Sequence, residues 1–268
     1  MTRSMHGVAP RVARWGGHPL KASGTGAVGV QSEAGAMVGD GALGMNQGRS
    51  GGSGVVIPVD EGELRGMLEF PEDAPGVVLF AHGAGSSRFS PRNRQVARVL
   101  QDAGIGTLLF DLLMESEAER RENVFDIGLL ASRLILATFW VRENEATRHM
   151  PIGYFGASTG AAAALVAAAR MPTVVDAIVS RGGRPDLAGR DLAEVCAPTL
   201  LIVGGRDEVV LELNREALER LRAEKELVVI PGATHLFEEP GALDQVAELA
   251  ADWFRRHLGK MQRTRRAA

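Results

Sequence analysis

Hydrophobic and polar positions alternate regularly only after about residue 54 of the chain. From there, short apolar runs of strand length follow one another, separated by stretches with apolar residues at helical spacing. The segments 55–59 and 63–70 predict a β-hairpin, and the run 76–81 predicts a strand buried on both faces. Further strands are predicted at 106–110, 152–155, 174–180, 199–203 and 226–230, and helices at 91–103, 126–141, 187–195, 211–223 and 241–258. This alternation predicts an α/β fold: one doubly wound, mostly parallel sheet flanked by helices, without a large cap domain.

The first 54 residues have a different composition, with 14 of the 33 glycines and little apolar periodicity. We expect residues 1–54 to be a disordered or poorly packed extension, 55–260 to form the folded domain, and 261–268 to be a basic tail. The chain shows no signal-peptide-like apolar region and no apolar run of membrane-spanning length. The net charge of −3 favours neither nucleic acid nor an anionic membrane as a partner.

The cysteine residue, and the histidine residues outside the motifs described below, do not indicate a disulfide, a reactive thiol or a metal site. The single cysteine, Cys196, excludes an internal disulfide and fits a reducing compartment, so we expect a cytoplasmic protein. Cys196 is predicted to be an inert, buried thiol, whereas His149 and His257 are predicted to lie on the surface. The spacing of His, Cys and Asp residues matches no metal site, and we predict neither a metal nor a cofactor. The sequence does not indicate an oligomeric state.

The pentapeptide 156–160, Gly-Ala-Ser-Thr-Gly, follows an apolar strand and precedes an alanine-rich helix. It fits the G-x-S-x-G nucleophile elbow, in which a tight turn exposes the serine above the end of a sheet. Residues 48–52 fit the same letters by chance, since they have neither a preceding strand nor a following helix. Ser158 is therefore the candidate nucleophile.

A serine nucleophile needs a base and an orienting acid. Asp207 and His235 follow Ser158 in that order, each in a loop after a predicted strand. Because ligands bind at the carboxyl ends of parallel strands, we expect these three side chains to meet there. The backbone N–H groups of Thr159 and Ala84 are the predicted oxyanion donors.

Four motifs in order resemble the α/β-hydrolase fold, and more narrowly its dienelactone hydrolase-like branch. They are His82–Gly85, Gly156–Gly160, Gly204–Asp207 and Ala233–Phe237, and the resemblance spans about residues 55–258. Dienelactone hydrolases proper carry a cysteine nucleophile where this chain has serine. The resemblance therefore implies serine esterase activity on a small carboxylic ester, thioester or lactone.

Several polar residues near these motifs are candidates for contact with the substrate. Arg181, Ser86 and Asp111 lie at predicted strand ends or in the loop after residue 81. Arg181 is a candidate to bind an anionic group, although such arginines also pair with acids such as Asp111 and Glu238. His82 is expected to position backbone. Two other functions stay open: a non-catalytic binding protein on the same scaffold, and acyl transfer to an acceptor other than water.

Overall fold

The computed structural model describes residues 53–60 and 62–259. The predicted extension lies outside the described residues except for Ser53 and Gly54, which belong to the first strand. The basic tail 261–268 also lies outside them. Among the described residues, no helix is long and apolar enough to cross a membrane.

Within residues 53–60 and 62–259, eight strands form one sheet; numbered β1 to β8 along the chain, they lie in the order β1-β2-β4-β3-β5-β6-β7-β8. The β1–β2 and β2–β4 pairs are antiparallel, and all other neighbours are parallel. The central strands are apolar along their whole length because helices cover both faces of the sheet. The strands are β1 (Ser53–Val59), β2 (Gly62–Glu69), β3 (Val77–Ala81), β4 (Gly106–Phe110), β5 (Ile152–Ala157), β6 (Val175–Arg181), β7 (Thr199–Gly204) and β8 (Lys225–Ile230).

The helices pack in two layers, one on each face of the sheet. One core cluster lies beneath α1 and α7, and the other lies beneath α4, α5 and α6. The α-helices are α1 (Pro91–Asp102), α2 (Glu115–Ala118), α3 (Arg121–Phe125), α4 (Ile127–Glu143), α5 (Thr159–Arg170), α6 (Glu208–Arg220) and α7 (Ala242–Leu258). A 3₁₀ segment, Pro185–Glu194, occupies the position of the predicted helix 187–195.

The predicted fold class is confirmed: the sheet is mostly parallel and flanked by helices, and the described residues include no inserted cap domain. Two details of the connections differ from prediction. The short helices α2 and α3 lie in a segment that is rich in Glu and Arg and has no apolar periodicity. Helix α6 begins directly after Asp207, three residues earlier than predicted.

Two predictions of burial are wrong. Cys196 is exposed, because it lies in the turn before β7 and not in the strand that follows. His257 is buried, because it stacks against Trp253 one helical turn away, with ring centroids 4.5 Å apart. The amphipathic period of α7 places both side chains on its inner face. His149 is exposed, as predicted.

Candidate active site

Ser158 occupies a strained turn between β5 and α5. Its φ of 52° and ψ of −122° lie in a region that non-glycine residues rarely adopt. The flanking glycines make the turn possible. A Cβ at Gly156 would lie 2.8 Å from the backbone nitrogen of Ala161, and one at Gly160 would lie 2.5 Å from the carbonyl oxygen of His82. The elbow predicted from the sequence is therefore present as a backbone geometry.

Backbone hydrogen bonds fix this turn to the end of the neighbouring strand. The N–H of Ser158 donates to the carbonyl oxygen of Arg181 at 3.3 Å. The carbonyl oxygen of Ser158 accepts from the N–H groups of Ala161 and Arg184, both at 3.1 Å. The position of the serine thus depends on the loop after β6 as well as on its own helix.

His235 and Asp207 form a hydrogen-bonded pair, although they lie 28 residues apart. The Asp207 Oδ2 to His235 Nδ1 distance is 2.6 Å. Asp207 immediately precedes α6, yet its carboxylate does not cap that helix and points to the imidazole. The Asp207 side chain is 15% exposed and that of His235 is 39% exposed, so the imidazole faces the open side of the site.

Two residues whose roles the sequence analysis did not predict hold the histidine loop. The Glu239 carboxylate accepts from the N–H of Thr234 with both oxygens, at 3.1 Å each. A hydrogen bond from its own backbone N–H, and then those from Thr234, lower the pKa of Glu239. The buried Phe237 adopts a φ of 55°, which makes the loop turn sharply after the histidine. The only sequence signal for these roles is that both residues closely follow His235.

Ser158 and His235 line the same cavity, whose volume is about 570 Å³. Among the described residues, however, the Ser158 hydroxyl has no hydrogen bond with the imidazole. Catalytic hydrogen bonds are often long or misaligned without substrate, and a serine hydroxyl moves by rotation about one bond. The structure therefore brings the predicted nucleophile and the histidine–aspartate pair to the same cavity, but the hydrogen bond between the Ser158 hydroxyl and the His235 imidazole is not formed.

The two predicted oxyanion donors differ in their present contacts. In the described part of the chain, the Thr159 N–H, at the start of α5, has no acceptor. The Ala84 N–H donates to Oγ1 of Thr159 at 3.0 Å. Ala84 lies close to the elbow, as predicted, but its N–H has to share or exchange this bond to reach an oxyanion. The contact between the Thr159 side chain and Ala84 was not foreseen, because the two residues are 75 positions apart.

His82 joins the Ala84 loop to the end of β4. Its Nε2 accepts from the N–H of Leu112 at 3.0 Å, so its Nδ1 carries the proton and donates to the carbonyl oxygen of Gly83 at 3.0 Å. Burial lowers the pKa of His82, while the bond to Gly83 and the charge of Asp111 act in the opposite direction. His82 thus positions backbone as a neutral imidazole, in agreement with the sequence-based expectation.

The candidate substrate-binding residues fall in two places. Ser86 and Arg181 line the cavity of Ser158. Asp111 lines a neighbouring cavity of about 580 Å³, where it forms an ion pair with Arg88 and accepts from the Arg88 backbone N–H at 2.7 Å. The placement of Asp111 therefore does not support direct contact with a substrate at Ser158, because its carboxylate is engaged by Arg88.

Arg181 is buried, with 8% of its surface exposed. Its Nη2 reaches Oδ1 of Asn93 at 3.4 Å, and its Nε has no hydrogen-bond partner. Burial lowers the pKa of Arg181 to about 10, with a further contribution from the charge of Arg92. The guanidinium therefore stays positively charged at neutral pH. Among the described residues, no group of His, Cys, Asp or Glu is arranged to hold a metal ion.

Comparisons with known proteins agree with this geometry. The model of the dienelactone hydrolase family matches residues 64–264. A crystal structure of a dienelactone hydrolase from Anabaena variabilis is 59% identical, covers 77% of this chain and 98% of its own, and has a TM-score of 0.76. The esterase domain of a Rhodothermus marinus protein is 21% identical, with a TM-score of 0.63 over 78% of this chain and 100% of its own, which shows a shared fold.

A Mycobacterium tuberculosis protein, whose name assigns it provisionally to the phosphoribosyl transferases, is 63% identical over 195 residues. The match covers 73% of this chain, but this chain spans only 44% of the length of that relative. The family match covers most of the chain, and the sheet order and the elbow are those of an α/β-hydrolase. The chain belongs to the dienelactone hydrolase family.

Proposed function

We propose that the protein is a serine hydrolase that cleaves a small carboxylic ester, thioester or lactone through an acyl-enzyme on Ser158. The observation that supports this most directly is the 2.6 Å hydrogen bond between Asp207 and His235 beside the cavity that Ser158 lines. Family membership supports hydrolase chemistry, and the strained backbone at Ser158 supports its role as nucleophile.

In the proposed reaction, the Ser158 hydroxyl attacks the carbonyl carbon while His235 Nε2 accepts its proton. Asp207 keeps the other imidazole nitrogen protonated and stabilises the imidazolium that forms. The Thr159 N–H and the Ala84 N–H would donate to the oxyanion. His235 then protonates the leaving alcohol, thiol or ring oxygen, and a water attacks the acyl-enzyme with His235 as base.

A fluorophosphonate probe, which phosphonylates activated serines, tests this assignment. The wild-type protein should be labelled at Ser158 and should hydrolyse p-nitrophenyl acetate. Ser158→Ala should lose both, whereas the control Ser132→Ala on the exposed side of α4 should lose neither. Labelling that persists in Ser158→Ala would show that another residue is the nucleophile.

Two further results would favour a different function for the protein. Ester formation from added alcohols, exceeding hydrolysis, would show that the acyl group passes to an acceptor other than water. The absence of both labelling and turnover would favour a non-catalytic binding protein on this scaffold.

The name of the mycobacterial relative does not change the proposal, because this chain spans less than half of that protein. Pyrophosphate release from phosphoribosyl pyrophosphate measures phosphoribosyl transfer directly. We expect none from this chain, because its own described residues carry the hydrolase elbow and fold.

A further inference from the structure

The charge of Arg181 has no counter-ion in the described part of the chain: no carboxylate oxygen lies within 4 Å of its guanidinium. Its one hydrogen bond from Nη2 goes to the neutral amide of Asn93, and the charge of another cation, Arg92, adds to the effect of burial in lowering its pKa. A buried charge without a partner is strongly disfavoured unless a ligand supplies the opposite charge. An anionic group bound in the cavity would provide this compensation.

The loop that carries Arg181 is fixed in place by other elements. The Asn214 side chain on α6 donates to the carbonyl oxygen of Gly183 at 3.0 Å, and the Arg181 carbonyl oxygen accepts from the N–H of Ser158. The strand end that carries Arg181 is thus held beside Ser158 before any ligand binds, and the guanidinium is directed to Asn93. Such preorganisation is typical of a binding group, because little side-chain entropy is lost when the ligand arrives.

Three serines that line the cavity add further donors. Ser87 Oγ already accepts from the N–H of Phe89, and Ser90 Oγ accepts from the N–H of Asn93. Each of these hydroxyl groups therefore has its proton available to donate into the cavity that both residues line. Ser86 supplies a third hydroxyl group to the same cavity.

Arg92 lies on the first turn of α1 and also lines the cavity. Its pairing with Glu238, at 2.8 Å, involves a carboxylate side chain that is 64% exposed. Exposed ion pairs contribute little, so a ligand can recruit Arg92. The N-terminal end of α1 adds positive partial charge at the same place.

We propose that the ester substrates of this site carry a phosphate group, and that Arg181 and Arg92 form its binding subsite. This inference rests on the proposed function of Ser158. Two guanidinium groups and three hydroxyl groups offer more donors than the two oxygens of a carboxylate can accept. A phosphate monoester offers three terminal oxygens and nearly two negative charges, and therefore matches this set better. Because the subsite and Ser158 share one cavity, a single small molecule reaches both.

Three matched acetyl esters test the proposal: acetylglycerol, acetylglycerate and acetylglycerol phosphate. The wild-type protein should hydrolyse the phosphate ester with a kcat/KM at least about tenfold above the other two, as expected for charged hydrogen bonds. Arg181→Met should lower the kcat/KM for acetylglycerol phosphate by at least about tenfold and so remove this preference. Arg181→Lys keeps the positive charge but lacks the planar guanidinium with its paired N–H donors, so it should retain part of the preference for the phosphate ester.

Arg98→Met serves as the matched control, because Arg98 is exposed on the same helix as Arg92 and does not line the cavity. It should keep the preference for the phosphate ester. Arg92→Gln, at a half-exposed position, gives a second test should Arg181→Met fold poorly, and should reduce the preference several-fold. A preference for acetylglycerate, or equal rates on all three esters, would overturn the phosphate assignment.

Binding of inorganic phosphate separates this inference from the proposed function. At constant ionic strength, phosphate should raise the thermal midpoint of wild-type protein and of Ser158→Ala, but not of Arg181→Met. If Ser158 is not labelled and no ester is cleaved, the proposed function fails, and this binding result still decides the subsite. Equal stabilisation of the wild type and Arg181→Met by phosphate would overturn it.

Discussion

Gly160 provides a sharp test of the elbow geometry, because no side chain fits at its position. A Cβ there would lie 2.5 Å from the carbonyl oxygen of His82 and closer still to that of Ala81. Carbon–oxygen contacts of this kind are essentially never shorter than 3.0 Å. Both obstacles are backbone atoms at the end of β3, so Gly160→Ala has to move α5 away from that strand by at least about 0.5 Å.

Such a shift displaces Ser158 and the Thr159 N–H together relative to the Ala84 loop. Because a misplacement of about 1 Å typically costs about 100-fold in rate, we expect kcat/KM to fall about 10- to 100-fold. Overpacking of a tight interior typically costs about 1–3 kcal/mol, which corresponds to a thermal midpoint lower by about 2–12 °C for a domain of this size. Hydrolysis of p-nitrophenyl acetate and thermal unfolding followed by circular dichroism measure the two effects.

Two other glycines provide controls that separate steric displacement from simple loss of stability. Gly104 has a φ of +83°, and no atom lies within 4 Å of the point that a Cβ would occupy, so Gly104→Ala should cost about 1–2 kcal/mol through backbone strain alone. Its kcat/KM at 25 °C should stay unchanged. Gly54 also has free space and carries no such strain, so Gly54→Ala should change neither quantity. Wild-type activity and stability in Gly160→Ala would refute the claim that close approach of α5 to β3 sets the site.

Three further predictions follow from contacts at the site. Asp207→Asn should lower kcat by about 10⁴ without unfolding the protein, because it favours the wrong tautomer of His235; a loss below tenfold would contradict its orienting role. Thr159→Val should lower kcat/KM about tenfold, because the Ala84 N–H loses the hydroxyl group that holds it in position. Thr159→Ser, which keeps a hydroxyl group, should restore the rate. A Thr159→Val protein that is faster than the wild type would mean that this hydroxyl group competes with the oxyanion for the Ala84 N–H. Burial lowers the pKa of His82, so as the pH falls the unfolded chain binds a proton at this imidazole before the folded protein does. The free energy of unfolding should therefore fall as the pH drops below about 6.5, by at most about 1.4 kcal/mol per pH unit, until the folded-state pKa is reached. Urea unfolding between pH 7 and 5 should show a smaller loss of stability for His82→Gln than for the wild type.

The sequence predicted the strands well because their apolar runs are buried on both faces and contain few ambiguous positions. It also predicted that Ser158, Asp207 and His235 lie at one edge of the sheet, because glycine-rich turns mark the ends of the strands that precede them. It could not show that Ala84 bonds to the Thr159 side chain, nor that Glu239 holds the histidine loop. Those contacts depend on side-chain rotamers in loops, which no periodic pattern encodes.

The sheet order places the end of β6 beside Ser158. β6 lies between β5, which leads to Ser158, and β7, which leads to Asp207, and Arg181 pairs in register with Ala157. A side chain at this strand end therefore lies beside the nucleophile whatever its chemistry. The sequence alone left open whether Arg181 pairs with an acid, and the structure shows such pairing for Arg88 and Arg92 instead. Of Arg88, Arg92 and Arg181, the arginine without a carboxylate partner is thus the one that the topology places next to the candidate nucleophile, which is why its substitution should alter the choice of substrate more than the rate on a neutral ester.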